Sequence, residues 1–66
     1  MKELYKVKWD FNKCQVSSWS SRPLLREVFG ERNEGFAVSA TNPISAIKFV
    51  AETYNLNGFY LKAERA

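Results

Sequence analysis

The chain has 66 residues, a net charge of +3, one cysteine, no histidine, and 45% hydrophobic content that includes ten aromatic residues. So short a chain supports one core and buries only about 60% of its unfolded surface, which leaves it marginally stable or aided by a partner. Its aromatic content excludes a disordered chain, its apolar runs fall far short of the roughly 20 residues of a membrane span, and no basic-then-apolar leader opens it. One α+β domain over residues 1–66, cytoplasmic in its host cell, is the expectation. Cys14 is alone, so no internal disulfide can form, and it reads as a small buried hydrophobe or, less commonly, a reactive thiol.

The charge is unevenly spread. Residues 1–26 hold six basic residues (Lys2, Lys6, Lys8, Lys13, Arg22, Arg26) against Glu3 and Asp10, a net of +4, while residues 27–66 are net −1. Such asymmetry suits a phosphate backbone or an acidic protein face, although it also describes an ordinary solvated surface.

From Glu3 to Phe11 the chain alternates, with Tyr5, Val7, Trp9 and Phe11 on one side and Lys6, Lys8 and Asp10 on the other. This period of two marks a half-buried strand, with Trp9 in the core and Lys6 and Lys8 outward, roughly 7 Å apart. Asn12 and Lys13 suggest a turn. Beyond it Cys14 and Val16 share one side and Gln15, Ser17 and Trp19 the other, so a regular strand there brings Trp19 out on the polar face; a bulge or loop cancels that inference. Ser20 and Ser21 before Arg22-Pro23 signal a helix start, and Leu24, Leu25, Val28 and Phe29 form one apolar face, with Gly30 as a left-handed cap. In the polar loop that follows, Glu31 and Glu34 supply too few oxygens for a calcium site.

Phe36 to Ala40 alternates as a second strand. Thr41 or Asn42 then caps a helix that Pro43 opens, with Ile44, Ile47, Val50, Ala51 and Tyr54 on one arc, Ala46 at its edge, and Phe49 and Leu56 near the border. Lys48 and Glu52 form an i,i+4 pair on the polar side. Asn55 to Gly58 stops the helix, and Phe59, Leu61 and Ala63 alternate with Tyr60, Lys62 and Glu64 in a last strand that places Tyr60 and Lys62 outward. The elements assemble into a small two-layer α+β domain: a mainly antiparallel three- to four-stranded sheet with the first strand central, packed on one long helix, plus a short helix.

The stretch from Phe36 to Glu64, with Val38, Ala40, Pro43, Ala46, Ile47, Tyr54 and Gly58 at the matching positions, resembles the strand-helix-strand core of small phage and mobile-element proteins of the DpnD/PcfM-like family. Several small phage inhibitors of host defence, including anti-CRISPR proteins, look similar. The resemblance implies a genomic neighbourhood rather than a mechanism.

Catalysis is not expected. Histidine is absent, one cysteine makes no thiolate metal site, the acids are dispersed and no phosphate-binding glycine loop occurs, so neither metal nor cofactor is anticipated. The candidate partner-binding residues are Lys6, Lys8, Lys13, Trp19, Arg22, Arg26, Tyr60 and Lys62. They suit an inhibitor that docks on a host protein or ribonucleoprotein complex, direct nucleic-acid binding through rings and lysines, or a small structural or homodimeric protein.

Overall fold

The computed structural model describes residues 1–13, 19 and 21–66. In chain order these form β1 (Glu3–Trp9), α1 (Pro23–Phe29), β2 (Phe36–Ala40), α2 (Pro43–Tyr54), a 3-10 turn (Gly58–Tyr60) and β3 (Leu61–Arg65). The strands make one antiparallel sheet in the order β2-β1-β3, so α2 carries the chain from one edge of the sheet to the other across the central strand. The expected strand through Cys14 and Val16 and the Ser20 cap lie outside the described residues.

β1 is central because its two faces suit opposite environments. Tyr5, Val7 and Trp9 are buried with Val38 and Ala40 from β2 and Leu61 from β3, and the helices add Leu25, Val28, Phe29, Ala46 and Val50 to the same core. α1 starts on Pro23 with Arg22, rather than a serine, at the cap position, and Arg22 makes no side-chain capping bond. α2 is better anchored: the Asn42 side-chain oxygen accepts the Ser45 N–H at 2.8 Å, Pro43 needs no donor partner in the first turn, and Asn55 ends the helix in the left-handed region. Gly30 has positive φ but extended ψ (86°, 154°), so it is not the left-handed cap that its position suggested.

Asn33 closes the end of β1. Asp10 N–H donates to the Tyr60 carbonyl and Ala66 N–H to the Leu4 carbonyl, so even-numbered residues of β1 bond towards β3 and odd-numbered ones towards β2. Residue pairing with β2 stops at Val7 and Phe36, which leaves the Trp9 peptide groups beyond the end of the ladder. The Asn33 carboxamide takes the place of a strand neighbour there: its oxygen accepts the Trp9 N–H at 3.0 Å and its amide donates to the Trp9 carbonyl at 2.8 Å. Asn33 sits at φ 54°, a conformation that asparagine tolerates better than most residues.

Several side chains depart from the sequence reading. Phe11 follows the end of β1 and is exposed, because the Asp10 carboxylate accepts the Asn12 N–H at 3.0 Å and starts a turn there; Asp10, expected outward, is buried. The buried stripe of α2 centres on Ala46 and Val50, both fully buried, and this leaves Ile44 exposed on the far flank. Phe49, read as a border residue, is also exposed. Lys48 and Glu52 are exposed and do not come within ion-pair distance. The Trp9 indole N–H is buried and finds no acceptor among the described residues.

Asn33→Ala removes two hydrogen bonds and leaves both Trp9 peptide groups unpaired, so it is expected to destabilise the fold by about 1–3 kcal/mol in urea unfolding. Asn33→Gly, which keeps the backbone unstrained, is expected to recover only the smaller conformational part of that loss. An unchanged unfolding midpoint for both variants would contradict the role assigned to Asn33.

Candidate functional site

The helices cover one face of the sheet. The other carries Leu4, Lys6 and Lys8 from β1, with Ala37 and Ser39 on β2 and Lys62 and Glu64 on β3, since these positions alternate with the buried ones. Leu4, Lys6, Ala37, Ser39 and Glu64 are exposed; Lys8 and Lys62 are half-buried. Gly35 shapes one end of this surface. Its φ of 111° favours glycine, and a Cβ there would lie 3.0 Å from Lys6 Cβ and 3.1 Å from Lys8 Cγ, so the bare backbone leaves room for both lysine stems.

Glu64 organises the charges. It faces Lys6 in the strand register, yet its carboxylate accepts from Lys8 Nζ at 3.0 Å and lies 3.7 Å from Lys62 Nζ. The hydrogen bond from Lys8, then its charge, hold the Glu64 carboxyl below its ordinary range, with Lys62 adding to the effect. Lys6 has no ion-pair partner among the described residues. Three ammonium groups against one carboxylate leave the face at a net +2. Being solvent-exposed, these ion pairs orient the side chains more than they stabilise the fold.

At the other end of the sheet a second polar group lies on the helical side. Tyr5 OH donates to Glu3 Oε2 at 3.2 Å, and Arg65 pairs with Glu3, tying the start of β1 to the end of β3. Burial, reinforced by Glu3, pushes the Tyr5 phenol up.

Of the eight candidate residues, the structure brings Lys6, Lys8 and Lys62 together. Trp19 is not on that face: it is 6% exposed, stacked on Phe29 at 6.4 Å and met edge-on by Phe11 at 5.7 Å. The expectation that Trp19 emerges on the polar face does not hold, because it packs between the rings of Phe11 and Phe29. Tyr60 is also displaced. Asn57 caps the 3-10 turn by accepting the Phe59 N–H, so β3 begins only at Leu61, and the half-buried Tyr60 ring rests 5.6 Å from Trp9. Arg22, at the cap position, and Arg26, within α1, lie in the helical layer, where Arg26 lines a shallow 460 Å³ cleft with Pro23, Glu27 and Glu31. Lys13 lies beyond β1 with its ammonium 5.0 Å from the centroid of the Phe59 ring.

The exposed Phe59 is a further aromatic that sequence reasoning placed wrongly. The Asn57-Gly58 turn signal was present, but its length, which moves the strand start past Phe59, was not evident from alternation alone. Among the described residues no three His, Cys, Asp or Glu side chains group as metal ligands, and no helix is long and apolar enough to cross a membrane. Among the described residues, the strand positions of this face carry lysines, Leu4, Glu64 and small side chains but no aromatic ring. The lysines can meet carboxylates or phosphates, but none of these positions offers a ring on which a base could stack.

Comparisons with protein-family models, curated proteins and solved structures find no match for this chain.

Because the Glu64 carboxyl titrates below its ordinary value of 4.5 in the fold, its contribution to stability is fully present above that value and is lost as pH falls through the folded one. Glu64→Gln is therefore expected to be less stable than the parent at neutral pH, with the two thermal midpoints converging on acidification. A gap that stays constant down to about pH 2 would contradict the pairing.

Proposed function

We propose that the chain is a non-enzymatic binding protein whose contact surface is the open lysine face of its sheet, and that its partner presents an acidic protein surface. The observation that carries this reading is the placement of Lys6, Lys8 and Lys62 on one uncovered face with a single acid, Glu64, among them. Such a surface steers an acidic partner into register and adds affinity where the charges become desolvated. The resemblance of Phe36 to Glu64 to small phage and mobile-element proteins makes an inhibitor of a host defence or nucleic-acid-processing complex, of the anti-CRISPR type, the concrete form of the proposal. In that setting the protein acts in the host cytoplasm.

Direct nucleic-acid binding loses its main support, because it drew on Trp19 and Tyr60 as stacking groups beside the lysines. With Trp19 in the core and Tyr60 against Trp9, phosphate contacts alone remain on that face.

A pull-down from host lysate, with and without nuclease, identifies the partner. Lys6→Glu/Lys8→Glu loses the Lys8–Glu64 pair and so melts lower; at a temperature where circular dichroism shows it folded it is expected to weaken binding tenfold or more, about 1.4 kcal/mol, whereas Trp19→Phe leaves affinity unchanged. Equal binding by the charge-reversed variant would overturn the proposal. Loss of the partner on nuclease treatment, with a low-salt mobility shift that weakens linearly in log-log form as salt rises, would replace it with direct nucleic-acid binding.

A further inference from the structure

The two edges of the sheet are built differently. In β3 the residues that face β1 are even-numbered, so the peptide groups of Ala63 and Arg65 point outward, and this edge carries Lys62, Glu64 and Arg65. Charges of this kind are how natural proteins keep an edge strand from pairing with another chain. In β2 the outward peptide groups are those of Ala37 and Ser39. That strand, Phe-Ala-Val-Ser-Ala, has no charge and no proline, and its five consecutive pairs with β1 show no bulge.

We propose that β2 pairs antiparallel with β2 of a second copy of the chain, joining two three-stranded sheets into one of six strands. A two-fold axis at Val38 sets Ala37 opposite Ser39 of the second copy, and Ser39 opposite its Ala37. Both pairs consist of residues whose peptide groups point outward, so the joint forms four N–H···O bonds. The same register places the half-buried Phe36 opposite the small Ala40 of the second copy, which leaves room for its ring on the helical side. Because the axis runs perpendicular to the sheet, both lysine faces lie on the same side. Their net charge doubles to +4 on one continuous surface, with the two β1 strands about 14 Å apart. The joint rests on the edge alone and holds whatever the lysine face binds.

Light scattering after size exclusion tests it. The parent chain is expected to show twice its 7.6 kDa mass and to dissociate on dilution. Ser39→Pro deletes an N–H that β1 does not use, and its ring is tolerated on an edge strand, so this variant is expected to be monomeric with unchanged circular dichroism. Ala63→Pro, the same change on the β3 edge, is expected to remain a dimer. If Ser39→Pro fails to fold, isotope-filtered NMR on a mixture of labelled and unlabelled parent chains decides, with a cross-copy contact between the two Val38 side chains expected. A parent chain that stays monomeric at NMR concentrations, a folded Ser39→Pro variant that stays dimeric, or a parent dimer without the Val38 contact would each overturn the proposal.

Discussion

The fold depends on β1 being hydrogen-bonded along both edges while its two faces meet opposite surroundings. Pairing with β2 runs from Glu3 to Val7 and pairing with β3 from Tyr5 to Trp9, so the overlap at Tyr5 to Val7 is held from both sides. Where the β2 ladder ends, the Asn33 carboxamide supplies the missing donor and acceptor for Trp9. A central strand cannot slip by one residue without sending Tyr5, Val7 and Trp9 into solvent and the lysines into the core. The register that builds the core therefore also builds the lysine face.

That coupling links core packing to the charges of the lysine face. The stems of Lys6 and Lys8 lie along the sheet beside Gly35, and Glu64 reaches Lys8 and Lys62 rather than Lys6, which stands directly across from it. Among the described residues the Lys6 ammonium group has no ionic partner, and it stands next to two that are already oriented. Oriented charges lose less freedom on binding than mobile ones, so the arrangement suits recognition of a complementary acidic surface.

Much of the fold was legible in the sequence because its signals are local. Pro23, the Asn42-Pro43 pair and Asn55 set helix ends by backbone chemistry, and alternation marks β1 and β2 through their β-branched and aromatic residues. The placement of the candidate residues was legible where it follows from strand phase alone, as for Lys6, Lys8 and Lys62, which share one face of the sheet. Errors arose where phase was carried across a turn. Tyr60 belongs to a 3-10 turn, which does not keep a period of two, Trp19 is buried rather than on the polar face, and Phe11 and Phe59 fall just beyond strand ends. Ile44 failed for another reason: the small Ala46 becomes the buried centre of α2, a choice made by tertiary packing rather than by hydrophobicity.

Amide hydrogen exchange followed by NMR tests the central position of β1 most directly. In a strand paired on both edges every successive amide is protected, whereas an edge strand protects only alternate ones. The account predicts slow exchange at consecutive β1 residues Tyr5, Lys6, Val7 and Lys8, against an alternating pattern in β3 in which Lys62 and Glu64 are slow and Ala63 is fast. Alternating protection within β1 itself would contradict it, and with it the division of that strand into a core face and a lysine face.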